Sequence, residues 1–110
     1  VSMSIRLEKP WLPLTTENLR SVKGQLGVYQ LGSADDGVTF IGYAGGKSLF
    51  GLKGELNTRL SEGPETNFRL EVTTAYQTRY RELLMIHIAD HGIPPRDNDK
   101  LPRLGKLSPA

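Results

Sequence analysis

The sequence predicts a single α/β domain of the α+β type, one small sheet with helices packed against it, and three observations carry that prediction. Its 110 residues suit one hydrophobic core and are too few to divide into two independently stable ones. Two apolar stretches, Leu26 to Leu31 and Val38 to Ala44, flank a turn running from Gly32 to Gly37, as in a pair of strands. Leucines at 49, 52, 56 and 60 then recur at three- and four-residue spacing, the stripe of an amphipathic helix.

The elements follow in order. Trp11-Leu12-Pro13-Leu14 is the first punctuation, and Thr15-Thr16-Glu17 after it offers a hydroxyl cap and a carboxylate for the positive end of a helix. A short helix over about residues 16–23 is expected, ended by Lys23-Gly24. Asp36-Gly37 supplies the positive φ that tight hairpins require, so the two strands should run antiparallel. A second helix spans about 48–61, weakened by Gly51 and Gly54.

After a loop containing Gly63-Pro64, Phe68, Leu70 and Val72 alternate with Arg69, Glu71 and Thr73, the period of a half-buried third strand. Thr74 with Gln77 matches a capping box, and the third helix it opens carries Tyr80, Leu83, Leu84, Met85, Ile86 and Ile88 to about His91. Apolar residues cover most of its circumference, so it should be largely buried. Gly92 suits a left-handed cap, Ile93 can fold back on the last turn, and Pro94-Pro95 bars continuation. Arg96 to Ala110 reads as an extended basic tail.

Composition narrows the chemistry. Apolar residues make up 37% and charged residues 24%, far from the signature of a disordered chain. With no cysteine, disulfides, thiolate zinc sites and cysteine nucleophiles are excluded, and a metal would need oxygen or imidazole ligands. Apolar runs are short and the start of the chain is charged, so neither a membrane span nor a signal peptide is expected and cytoplasm is the default location. The net charge of +2 and pI near 9.1 permit nucleic-acid binding. Cations gather in three groups: Lys47, Lys53 and Arg59; Arg69, Arg79 and Arg81; and Arg96, Lys100, Arg103 and Lys106.

The two hairpin strands carry Gly27-Val28-Tyr29 and Phe40-Ile41-Gly42. With these tripeptides, their spacing and the order of elements after them, the sequence resembles the GIY-YIG nuclease superfamily. Members of that family place the two motifs on adjacent strands of a three-stranded antiparallel sheet, followed by a helix bearing an arginine and a later helix bearing a glutamate. The resemblance covers Gly24 to Asn98, which divides the chain into an N-terminal segment with a short helix (1–23), a GIY-YIG-like domain (24–98) and an extended basic tail (99–110).

The resemblance implies action on nucleic acid, DNA foremost, by metal-dependent phosphodiester hydrolysis. It implies a tyrosine hydroxyl near the attacking water, an arginine on the scissile phosphate, a magnesium or manganese ion held by the glutamate, and a supporting asparagine, a set suited to activating water and stabilising charge. Carried over by position, Tyr29 is the tyrosine of the first motif and Phe40 replaces that of the second, while Tyr43 offers a phenol nearby. Arg59 matches the helix arginine, with Lys53 as fallback, and Asn98 the asparagine. Lys47, Lys53 and Arg59 are the expected nucleic-acid contacts.

The position of the metal-binding glutamate falls on His87, and Glu82 is the nearest carboxylate, on a different side of the helix. A hard cation prefers oxygen to imidazole. Two expectations therefore stand: an active endonuclease, or a catalytically inactive GIY-YIG-fold module that binds nucleic acid or protein.

Other signals have plainer readings beside them. His87 and His91, one turn apart with Asp90 between, suit two ligands of one metal, or a hydrogen-bonded structural His87. Gly46-Lys47-Ser48 resembles the end of a phosphate-binding loop, but the first glycine would fall at Ile41. An ordinary strand-to-helix turn remains, or one whose amides and Lys47 touch a phosphate. Trp11, Tyr76 and Tyr80 read as core or cap residues. The apolar third helix would suit a homodimer or partner interface if one side were exposed.

Overall fold

The computed structural model describes residues 6–63 and 66–104. Seven elements follow one another: β1 (Leu12–Pro13), α1 (Thr16–Leu19), β2 (Gly27–Ser33), β3 (Gly37–Ala44), α2 (Gly51–Glu62), β4 (Asn67–Val72) and α3 (Tyr76–His91). They form an α+β fold with one antiparallel sheet in the order β1-β4-β2-β3. The sheet has four strands where three were expected. The extra one is the two-residue β1, whose Leu12 pairs with Phe68 and Pro13 with Asn67; so short a strand leaves no periodic signal.

Side chains alternate across the central strand and build a core on each face. Tyr29 points to one face, where it packs with Leu14, Leu19, Ala44, Leu52, Leu56 and Phe68. Val28 points to the other, where it meets Leu7, Ile41, Leu83 and Leu84. The helices α1 and α2 thus cover one side of the sheet and α3 the other. Leu7 and Leu14, from the N-terminal segment, sit in these cores.

Several local expectations are revised. The first helix ends at Leu19 rather than near 23, although Thr15 caps it by accepting from the Asn18 amide at 3.1 Å. The second begins at Gly51 rather than 48, because Phe50 and Gly51 both take left-handed φ values, 63° and 57°. That bend lets Gly51 approach Gly24, where a Cβ would lie 2.5 Å from the carbonyl carbon. The capping box does not form: α3 starts at Tyr76 with no side-chain cap on its N-cap residue Ala75, and the Ala75 amide donates to Thr73 Oγ1 instead.

At the other end Gly92 takes the expected left-handed cap, φ 81°. It is the carbonyl of Ile93 that turns back, reaching His87 Nδ1 at 2.9 Å, while the Ile93 side chain is exposed. Only Leu83, Leu84 and Ile86 of α3 are buried, fewer than its composition suggested.

The segment after α3 closes the outer edge of β3. Asp97 donates its amide to the Thr39 carbonyl at 2.9 Å. Asn98, buried, accepts from the Ile41 amide through Oδ1 and donates to the Ile41 carbonyl through Nδ2, both at 2.9 Å. A side-chain amide here replaces a neighbouring strand and satisfies backbone groups that an open edge would leave bare. Of the expected tail, residues 99–104 form neither helix nor strand, and 105–110, with Lys106, lie outside the described residues, as does Pro64.

Candidate functional site

A cleft of about 790 Å³ runs beside β3, walled by α2 on one side and the start of α3 on the other. Its floor comes from the two hairpin strands, because Gly42 has no side chain. A Cβ there would lie 2.4 Å from Tyr29 Cζ, so this glycine leaves the space that the tyrosine ring fills. Tyr29 is fully buried and lines the cleft, with its hydroxyl held between two side chains of α2. Arg59 Nε donates to it at 3.1 Å, and it donates to Glu55 Oε1 at 3.4 Å. Residues 55 and 59 are one turn apart, which brings both to the same face of the helix.

Arg59 is held from a second direction. Its guanidinium carbon lies 4.2 Å from the centre of the Phe40 ring, in cation–π range, and Nη1 reaches Glu62 at 3.5 Å. A planar fork fixed at Nε and on one face presents its remaining N–H groups in a set direction, the arrangement that suits a phosphate or carboxylate. Burial pushes the Tyr29 hydroxyl up to about 12, against the pull of Arg59 in the opposite direction. It is a neutral hydrogen-bonding group at ordinary pH, not a ready base.

The opposite wall is aromatic. Tyr43 stacks on Tyr76 with ring centroids 5.7 Å apart and planes within 11°, and meets Tyr80 at 4.8 Å. Gly45 makes room for this packing, since a Cβ would come within 2.6 Å of the Tyr76 ring. Lys47 and Gln77 complete the rim.

The structure therefore gathers Tyr29, Tyr43, Arg59 and Lys47 around one space, and leaves other expected site residues out of it. Lys53 does not line the cleft. Asn98 is committed to the Ile41 backbone and does not itself line the cleft. His87 lines a separate hollow with Arg6, Asp90 and His91, as a hydrogen-bonded side chain on the Ile93 carbonyl. Glu82 is paired with Arg79, which also holds Glu71. These two candidate ligands do not meet on the cleft, and among the described residues no three His, Cys, Asp or Glu side chains are placed to hold a metal ion. The cleft's own carboxylate is Glu55.

The glycine-rich turn is closed as well: the Gly45 amide donates to Ser48 Oγ and the Gly46 amide to the Tyr76 hydroxyl. Neither amide is aimed at a phosphate, so Lys47 alone could make that contact. Glu55, Tyr76 and Tyr80 were missed as site residues. Glu55 was within reach of sequence, since its spacing from Arg59 puts both on one helix face, but nothing local marked the two tyrosines as cleft rather than core.

Residues 5–90 match a protein family described as a domain of unknown function, DUF7508. The chain belongs to that family. The DUF7508 match takes in Tyr29, Tyr43, Glu55, Arg59, Tyr76 and Tyr80, and stops before Asn98. No curated protein and no solved structure matches the chain. Among the described residues no helix is long and apolar enough to cross a membrane.

Proposed function

We propose that this chain is a GIY-YIG-like domain that binds nucleic acid, DNA foremost, seating a backbone phosphate on Arg59 and Lys47, and that it works as a binding module rather than a nuclease. The observation that carries this reading is the Arg59 guanidinium, clamped by the Tyr29 hydroxyl and the Phe40 ring at the wall of an aromatic cleft. Preorganisation of this kind reduces the ordering cost of binding an anion. Charge also selects where the phosphate sits. An adjoining hollow shares Phe40 and Arg59 but brings in Asp36, Glu62 and Asp97 against Arg96, whereas the main cleft sets Lys47 and Arg59 against Glu55 alone.

The binding reading is preferred to hydrolysis because Phe40 lacks the second hydroxyl, Tyr29 is held neutral, and His87 and Glu82 lie away from the cleft. Metal-dependent phosphodiester hydrolysis is the second reading, favoured by Glu55, a carboxylate beside both Tyr29 and Arg59. Fluorescence anisotropy with labelled oligonucleotides, beside a nicking assay on supercoiled plasmid with magnesium or manganese, separates the two. Binding weakened at least tenfold by Arg59→Ala without nicking is the expected result. Nicking abolished by Glu55→Gln and Arg59→Ala would instead establish the nuclease, and the absence of both Arg59-dependent binding and Arg59-dependent nicking would overturn both.

A further inference from the structure

Arg59 offers the phosphate seat from one wall of the cleft and Lys47 from the rim, and the aromatic rings of the opposite wall have no role in holding an anion. That wall is built from Tyr43, Tyr76 and Tyr80, three of the four tyrosines in the chain. Two of them are pinned. Tyr76 packs on Gly45 and accepts from the Gly46 amide at 3.1 Å, and Tyr80 packs against the buried cluster of Val28, Ile41, Leu83 and Leu84. Tyr43 rests on both rings and is 39% exposed at the rim. It is thus an aromatic surface backed by two others rather than a mobile side chain.

An oriented, partly exposed ring and a cation lining one cleft match the two chemical halves of a nucleotide. Aromatic faces stack any base, and such stacking tolerates sequence. Beside Tyr43, Leu49 also lines the space and is 76% exposed, adding apolar surface where a base edge would lie. A base paired inside a duplex hides both faces in the stack and cannot enter a concave site without being extruded.

Resting on the phosphate-binding reading above, the geometry points to an unpaired nucleotide as the ligand, its base stacked on Tyr43 and its phosphate on Arg59. The domain accordingly prefers single-stranded or splayed nucleic acid to intact duplex. The Tyr43 hydroxyl is dispensable for this, because the ring face makes the contact.

The test is anisotropy titration of the full chain with a labelled 12-nucleotide single strand, the same strand with abasic sites throughout, and the matching duplex, at one fixed salt concentration. Stacking predicts that the ordinary strand binds about tenfold or more tighter than the abasic strand, and tighter than the duplex. Tyr43→Leu should remove most of that difference, whereas Tyr43→Phe should stay within about twofold of wild type, by the same stacking argument. Circular dichroism of each variant checks that it is folded. If Arg59 is required but abasic and ordinary strands bind equally, the stacking site is wrong and the phosphate seat stands. If no strand binds in an Arg59-dependent way, both fail together.

Discussion

Arg59 and Tyr29 meet through one hydrogen bond, Nε to hydroxyl at 3.1 Å, and that contact joins the first hairpin strand to the helix that follows the hairpin. The strand supplies a buried phenol that accepts, and the helix supplies a cation whose direction the phenol determines. Phe40, on β3, completes the hold by lying under the guanidinium. Hydroxyl, cation and ring come from three separate elements, so the site depends on the sheet and α2 keeping their mutual placement.

Alkaline pH provides a direct reading of Tyr29. Its folded pKa, pushed up to about 12 chiefly by burial, lies above the ordinary value of 10.0. The stabilisation from keeping this hydroxyl neutral is complete below about pH 10 and is lost as pH rises toward 12. By linkage the loss is on the order of 2–3 kcal/mol. Guanidinium denaturation at pH 9, 10.5 and 11.5 should show a steeper fall for wild type than for Tyr29→Phe. Parallel falls in the two proteins would mean that the hydroxyl is not held neutral by the fold.

Asn98 should behave as a structural residue. Asn98→Ala leaves the Ile41 amide and carbonyl without their partners at the β3 edge, which costs roughly 2–3 kcal/mol when such groups stay buried. Asn98→Asp keeps the acceptor, loses the donor and buries a charge, so it should also destabilise. Urea midpoints of the purified variants decide the matter, and an Asn98→Ala protein as stable as wild type would count against this role.

Space at Gly42 is the condition for the phosphate seat. Gly42→Ala places a methyl group 2.4 Å from the Tyr29 ring, which a closely packed core accommodates only by shifting, at about 1–3 kcal/mol. Nucleic-acid binding should weaken along with stability, because Arg59 loses its aligned acceptor. Gly46→Ala is the matched control: its nearest neighbour would be the Tyr76 hydroxyl at 3.8 Å, an ordinary contact, so thermal melting and binding should remain near wild type. Equal behaviour of the two alanine variants would argue against a fixed ring position.

Local pattern in the chain was enough to specify the hairpin, the three helices and the half-buried strand at Phe68, because each repeats its signal over several residues or ends at a glycine with a defined backbone role. Gly37 and Gly92 both take the positive φ their positions called for. The start of α3 shows where that logic stops. A threonine three residues before a glutamine looks like a cap, but α3 starts later, at Tyr76, with no side-chain cap, and the Ala75 amide donates to Thr73.

Pairing beyond the hairpin was out of reach of local reading. Leu12 and Pro13 become a strand only because Asn67 and Phe68, some fifty-five residues later, present an open edge. The same division runs through the site. Tyr29 and Arg59 were legible as residues of the right type at motif spacing and Tyr43 as a phenol beside the second motif, whereas Glu55 was missed although helical periodicity puts it on the face of Arg59. That Tyr76 and Tyr80 line a cleft while His87 lines a separate hollow is settled by how α3 packs against the sheet. Spacing within a helix determines which side chains share a face, but only packing against the sheet determines where that face points.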